Sequence, residues 1–301
     1  MARLLALAIE TPASLLARLD GAGSGAGIET GGTQTINVTA LGSNGGGGFF
    51  AGGGGGAGGY GLAGIGLSAL TVNATITGGE GGSGQFSGDG AGACGGGIYF
   101  DTAGSSLLVA GGSITGGTGA QVAPGGAGVV GTGLAVTLSG GTISGGGSAN
   151  ALIFLGNTNS LTLATGGTIS GAIGILAGTL QINAAPGGST LANVITGAGG
   201  VIQDSANTLT LAGANTYSGG TTLGAGILSV GADTNLGAAS GRLTFTGGTL
   251  ETTADLTSAR RHAEHRRHRA GRYRDDHDPE RRDHGWGQPG QVILPRFHGH
   301  L

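Results

Sequence analysis

The chain has 301 residues, 74 of them glycine, with hydrophobic types at 38%, charged types at 10% and a formal net charge of −3. Enough Val, Leu and Ile remain to build a dry interior, which excludes a disordered linker, and glycine falls in pairs and runs without the strict triplet of a collagen. Each interior glycine of a helix costs about 1 kcal/mol relative to alanine, so helix is excluded for most of the chain and short strands joined by turns are expected.

In chain order, the first 20 residues open with Arg3 and the apolar run from Leu4 to Ile9, which Glu10 and Pro12 end early. A signal-peptide core runs longer and is followed by a small-residue cleavage site. Residues 1–20 are therefore read as a weak amphipathic helix or as a start inside a longer protein, without a convincing signal peptide. No later segment approaches the ~18 apolar residues of a membrane-spanning helix.

A glycine-saturated stretch (21–149) and a Thr/Leu/Gly stretch (150–258) follow, and the two share one motif, apolar-x-apolar-x-Gly-Gly-x-apolar. It occurs intact as Leu107, Val109, Gly111, Gly112, Ile114; as Val136, Leu138, Gly140, Gly141, Ile143; and as Leu243, Phe245, Gly247, Gly248, Leu250. Leu161, Leu163, Gly166, Gly167, Ile169 form a looser copy, and Leu70, Val72, Ile76 one without the glycine pair. In a strand, residues i and i+2 share a face, so each apolar-x-apolar unit predicts a short strand with one buried side. The Gly-Gly pair predicts a corner, since glycine tolerates positive φ, and the next apolar residue starts a second strand facing the same interior. One such unit cannot bury its apolar face alone, whereas stacked copies can. The expectation is an all-β chain, a right-handed parallel β-helix solenoid with Ile76, Ile114, Ile143 and Ile169 stacked at uneven intervals.

From Asn207 to Leu250 the pattern sharpens: Leu209, Leu211, Tyr217, Leu223, Leu228 and Val230 surround the signature Asn215-Thr-Tyr-Ser-Gly-Gly-Thr-Thr222. This segment resembles the passenger-associated repeat of bacterial autotransporters, and the clusters between Gly58 and Gly146 resemble the glycine-rich passenger repeats of the same family. The resemblance implies export by type V secretion through a cognate outer-membrane β-barrel, exposure at the cell surface or outside the cell, and a repeat that assists passenger transport and folding. It also implies an adhesin-like structural role of the kind associated with virulence, although no residue names a host ligand. A glycine-rich surface antigen of the PE-PGRS type is the alternative reading, but its repeats lack the paired strands above. A secreted β-helical polysaccharide enzyme is the third.

Chemistry-bearing patterns are sparse. No lysine occurs, which excludes a phosphate-binding loop ending in Gly-Lys and Schiff-base catalysis. Gly-x-Gly-x-x-Gly matches arise by chance at this glycine frequency, and none is followed by a helix signal. Cys94 stands alone, and a catalytic thiol would need a histidine that residues 1–261 lack. Calcium-binding nonapeptides would need regularly spaced aspartates, whereas Asp89 is isolated and Asp101 lies out of phase. A β-helical polysaccharide enzyme needs carboxylates gathered with a basic residue in one groove. Glu80, Asp89, Asp101, Asp204, Asp233, Glu251 and Asp255 stand singly, and Arg242 is the only basic residue between Arg18 and Arg260. No catalytic, cofactor-binding or metal-binding residue is assigned, the chain is read as a non-enzyme, and nucleic acid is excluded as a partner of the acidic core.

At Ala259 the composition changes abruptly. Residues 259–301 hold all seven histidines and ten of the thirteen arginines. His262, His265 and His268 suggest zinc by their spacing, and His262-Ala-Glu264 suggests a deaminase, but the Pro-Cys-x-x-Cys that a deaminase requires is missing. Interspersed acids from Asp275 to Asp283 dilute any field for nucleic acid. The tail has the composition of the repeat's GC-rich codons read in another frame, and it is expected to be disordered.

Overall fold

Alternation of apolar and hydroxyl residues settles which side of each short strand faces inward. In a computed structural model of the chain, the described residues are 28–44, 56–83, 92–119, 125–258, 260, 262–264 and 292–294. They contain no α-helix, and all strand pairs but one are parallel. The exception joins Leu256–Ser258 to Val292–Leu294.

The strands stack into three faces of a parallel β-helix. The first face carries Ile98–Phe100, Val129–Gly131, Leu152–Phe154, Ile173–Ile175 and Ile195–Thr196. On the second lie Ser106–Val109, Ala135–Leu138, Thr158–Leu163, Thr179–Ala184, Gly200–Gln203, Thr221–Leu223, Leu243–Phe245 and His262–Glu264. The strand Ile28–Ile36 starts both faces and pairs in parallel with the long strand Leu62–Val72, which pairs in turn through 62–64 with the first face and through 69–72 with the second. The third face runs Ala40–Leu41, Thr75–Thr77, Ser113–Thr115, Thr142–Ser144 and Thr168–Ser170, and farther along Ser189–Leu191, Thr208–Leu211, Ile227–Val230 and Thr249–Thr252.

The motif spacing holds in register. Ile76, Ile114, Ile143 and Ile169 are stacked partners, and the first three are fully buried. On the second face Leu107, Val136 and Leu161 form one column, and Val109, Leu138 and Leu163 another. Full burial of such a side chain stabilises by about 1.5–3 kcal/mol. Repeated in each rung, the columns make one continuous core that runs from Ile36 to Leu256. Corner glycines behave as the sequence suggests: Gly112 and Gly141 both adopt φ of 66° at the turn between the second and third faces.

The long glycine runs form something other than corners. Side-chain bonds between neighbouring rungs join residues 38, 29, 25, 21 and 20 apart in passing along the chain. The early surplus projects between the third and first faces as paired extended arms. Their backbones bond to one another in series: Gly146 donates to Gly126, Gly126 to Gly117, Gly117 to Gly95, Gly95 to Gly79, Gly79 to Gly59 and Gly59 to Ser43, at 2.7 to 2.9 Å.

This lattice is not a β-sheet. Gly79 and Gly82 both donate to the arm holding Gly59 and Gly56, whereas Gly78 donates to Thr115, at the end of the third-face strand of the next rung. Donors therefore return to one neighbour every third residue, the period of a polyproline-II helix, not every second as in a strand. Burial follows the same period, with Gly78, Gly79, Gly81 and Gly82 buried and Glu80 and Ser83 exposed. A methyl group on Gly79, Gly95, Gly117 or Gly126 would overlap a carbonyl oxygen of a neighbouring arm, which explains why two positions in three are glycine. The absence of a collagen-like triplet along the whole chain concealed this local period of three.

Candidate functional site

The segment bearing the Asn-Thr-Tyr-Ser-Gly-Gly-Thr-Thr signature lies in the C-terminal part of the β-helix, where polar residues enter the core. Between Leu211 and Thr221 the chain passes beneath the first face instead of forming a regular strand there. Side chains supply the bonds that a ladder would otherwise make. Asn215, 4% exposed, accepts from the Ile195 amide through Oδ1 at 2.7 Å and donates from Nδ2 to the Asn235 carbonyl at 2.6 Å. Asn235 lies 20 residues on, in the following rung. It accepts the Gly231 and Ala232 amides at 3.0 and 2.8 Å and donates to the Gly213 carbonyl at 2.9 Å. Each asparagine thus ties its own rung to a neighbour, and loss of either leaves buried backbone groups unpaired.

Tyr217 fills the core beside this ladder. It is fully buried, and its hydroxyl shares a 2.6 Å hydrogen bond with Thr221, whose Oγ1 donates to the Leu236 carbonyl. Burial pushes the phenol up to about 12 against the help of Thr221 and of the Arg260 charge, so the hydroxyl stays protonated and serves as a packing and bonding group. Gly237, at φ of 84°, lies against the ring, and a side chain there would strike it.

Arg260 closes this cluster from the following rung. It is 3% exposed, yet its donors are met: Nε bonds Asp233 Oδ1 at 2.7 Å, and Nη2 bonds Asp233 Oδ2, the Asp233 carbonyl and the Gly237 carbonyl. Nη1 bonds the carbonyls of Ala238 and Gly241. Together these hold the 3₁₀ turn Asp233–Leu236 against the repeat. Composition placed Arg260 in the aberrant tail, and only its three-dimensional surroundings show that it completes this closure. Asn235 was also missed, because its signal lies in stacking 20 residues from Asn215 and not in any local motif.

The residues weighed for chemistry remain apart. Glu80 accepts from Thr118, Asp101 binds the Gly66 amide, and Asp233 pairs with Arg260. Asp204, Glu251 and Asp255 lie elsewhere along the helix, and among the described residues no three of His, Cys, Asp and Glu gather as a metal-binding group. Cys94 is half-buried on a glycine arm. Asn207, at the start of the repeat segment, bridges rungs by donating to the Ala184 carbonyl. Asp89, His265 and His268 lie outside the described residues, as does most of 259–301, and for His262 only the backbone is described, in the strand His262–Glu264.

Residues 201–230 match the model of the passenger-associated-transport-repeat family. The matched stretch covers the strands Gly200–Gln203 to Ile227–Val230 almost end to end, including Asn215, Tyr217 and Thr221. No curated protein and no solved structure matches the chain. The chain therefore carries a passenger-associated transport repeat, built into the later rungs of a β-helix.

Proposed function

We propose that the chain is part of an autotransporter passenger, a surface-exposed β-helical stalk with an adhesin-like structural role and no catalysis of its own. One observation carries the reading. The passenger-associated repeat continues the same three faces and the same core as the preceding rungs, so repeat and stalk form one folding unit. A cognate outer-membrane β-barrel is the implied partner, and the cell surface or the medium the implied location. Among the described residues no helix is long and apolar enough to cross a membrane. The cluster around Asn215, Tyr217 and Arg260 suits such a role, because polar groups in the core specify which rung docks on which as the chain folds outside the cell.

The test is display. With the chain placed between a signal peptide and an autotransporter barrel, protease shaving of whole cells measures the folded, surface-exposed fraction. Asn215→Leu and Tyr217→Ser should lower that fraction severalfold, whereas Thr137→Ser on the outer side of the second face should not. Display unaffected by scrambling residues 201–230 would refute the reading.

A further inference from the structure

The third face turns into the glycine arms in a bend, and at its first two rungs that bend frames a cavity of about 470 Å³. Leu41 and Thr77 form one wall, as stacked neighbours on the strands Ala40–Leu41 and Thr75–Thr77. Asn44 and Glu80, exposed at the start of their arms, form the other, with Gly42 and Gly78 between. The polar wall is braced across rungs. The Glu80 amide donates to Asn44 Oδ1 at 2.9 Å, and the Glu80 carboxylate accepts from Thr118 Oγ1 at 3.0 Å, so neither side chain of the pair swings freely.

The lining restricts what can enter. Glu80 brings acceptor oxygens, Asn44 N–H donors, Thr77 a hydroxyl, and Leu41, 65% exposed, an apolar surface. A purely apolar ligand would strip water from the carboxylate and replace it with nothing. An anion would be repelled by the same group, and an ammonium or guanidinium ion would satisfy Glu80 but has no lone pair to offer the Asn44 donors. Calcium takes about six to eight oxygen ligands, usually with several carboxylates, and among the described residues no three of His, Cys, Asp and Glu gather. A sugar meets every term. Its hydroxyls both donate and accept, and the C–H edge of its ring packs on an aliphatic side chain. The volume also falls in the range of about 300–1,000 Å³ that small-molecule sites occupy.

We infer that this cavity binds a neutral glycan, with Glu80 accepting from one hydroxyl, Asn44 donating to another and Leu41 lying against the ring. Such a ligand deepens the adhesin-like role and rests on that reading for its exposure at the surface. The purified full chain is titrated with maltotriose and with cellotriose by saturation-transfer NMR, and tetra-arginine serves as the cationic probe. One or both sugars should bind. Glu80→Gln should weaken that binding by roughly tenfold, because a charge-assisted hydrogen bond is about twice as strong as a neutral one. Leu41→Ser should weaken it as well, whereas Glu251→Gln, the same change at an exposed position farther along the third face, should leave it unaltered. Urea midpoints of the variants, expected to match the parent, show that the fold is kept. Failure of both sugars to bind overturns the inference, as does binding indifferent to Glu80→Gln. Tetra-arginine held more tightly than either sugar also overturns it, in favour of a basic peptide. Since binding is read on the purified chain and display on cells, a failed cavity leaves the passenger reading standing, and a failed display leaves the titration to be judged on its own.

Discussion

Replacing Gly95 with alanine reports on the glycine lattice through the sign of its effect. In an ordinary extended segment with room for a methyl group, Gly→Ala stabilises a protein by about 0.4–1 kcal/mol, because the unfolded chain has less freedom to lose. At Gly95 the new Cβ would overlap the carbonyl of Gly59, so the arms must part. Two backbone bonds pass through this residue, its amide to Gly79 and its carbonyl from Gly117. Each contributes about 0.5–1.5 kcal/mol, and their loss outweighs the entropic gain to leave a net destabilisation of about 1–2 kcal/mol. Glu80→Ala, at the exposed third position of an arm, should stay within about 0.5 kcal/mol of the parent. Urea unfolding gives both values, and amide exchange at Gly79 and Gly117 shows whether the loss is local. A Gly95→Ala protein as stable as the parent, or more so, would refute the close-packed arms.

Ile143→Asp puts an unpaired carboxylate among the stacked isoleucines and should cost several kcal/mol, whereas Thr142→Asp on the outer side should cost under about 0.5; equal urea midpoints would sink the core assignment. Arg260→Met strips the cluster around Asp233 of its donors while leaving the Asp233 carboxylate a quarter exposed and able to hydrate, so a loss of about 1–3 kcal/mol is expected; a stability unchanged within about 0.3 kcal/mol would show that Arg260 does not brace the repeat. Because burial raises Tyr217 from 10.0 to about 12, the folded state holds its proton more tightly than the unfolded chain does. Its contribution is complete below pH 10 and is lost as the pH rises through 12, a fall of about 2–3 kcal/mol that Tyr217→Phe should abolish in alkaline unfolding titrations.

The strand columns were legible because burial on one side imposes a period of two that few sequences produce by accident. Leu107, Val109 and Ile114 announce a strand, a corner and a strand, and the repetition at Val136, Leu138 and Ile143 announces the stack. The passenger repeat was legible as a local string around Tyr217. Two features were not. The arms hide their period of three because glycine also fills positions where another residue would fit, so the exposed Glu80 and Ser83 look like interruptions in a run. Arg260 hides because its partners, Asp233, Gly237, Ala238 and Gly241, lie a full rung away, and three of them offer only backbone carbonyls.

The threefold arms also set a rule for how this chain can vary in length. Adding three residues to an arm, one more Gly-Gly-x, returns the next donor to the same neighbour and leaves the strands at its base in place. One or two extra residues would instead rotate every later donor away from its acceptor and turn an exposed side chain such as Glu80 into the lattice. Slippage during expansion or loss of the glycine codons is thus harmless only in whole steps, and the in-register isoleucines at 76, 114 and 143 act as fixed posts between which arms of different reach can be exchanged.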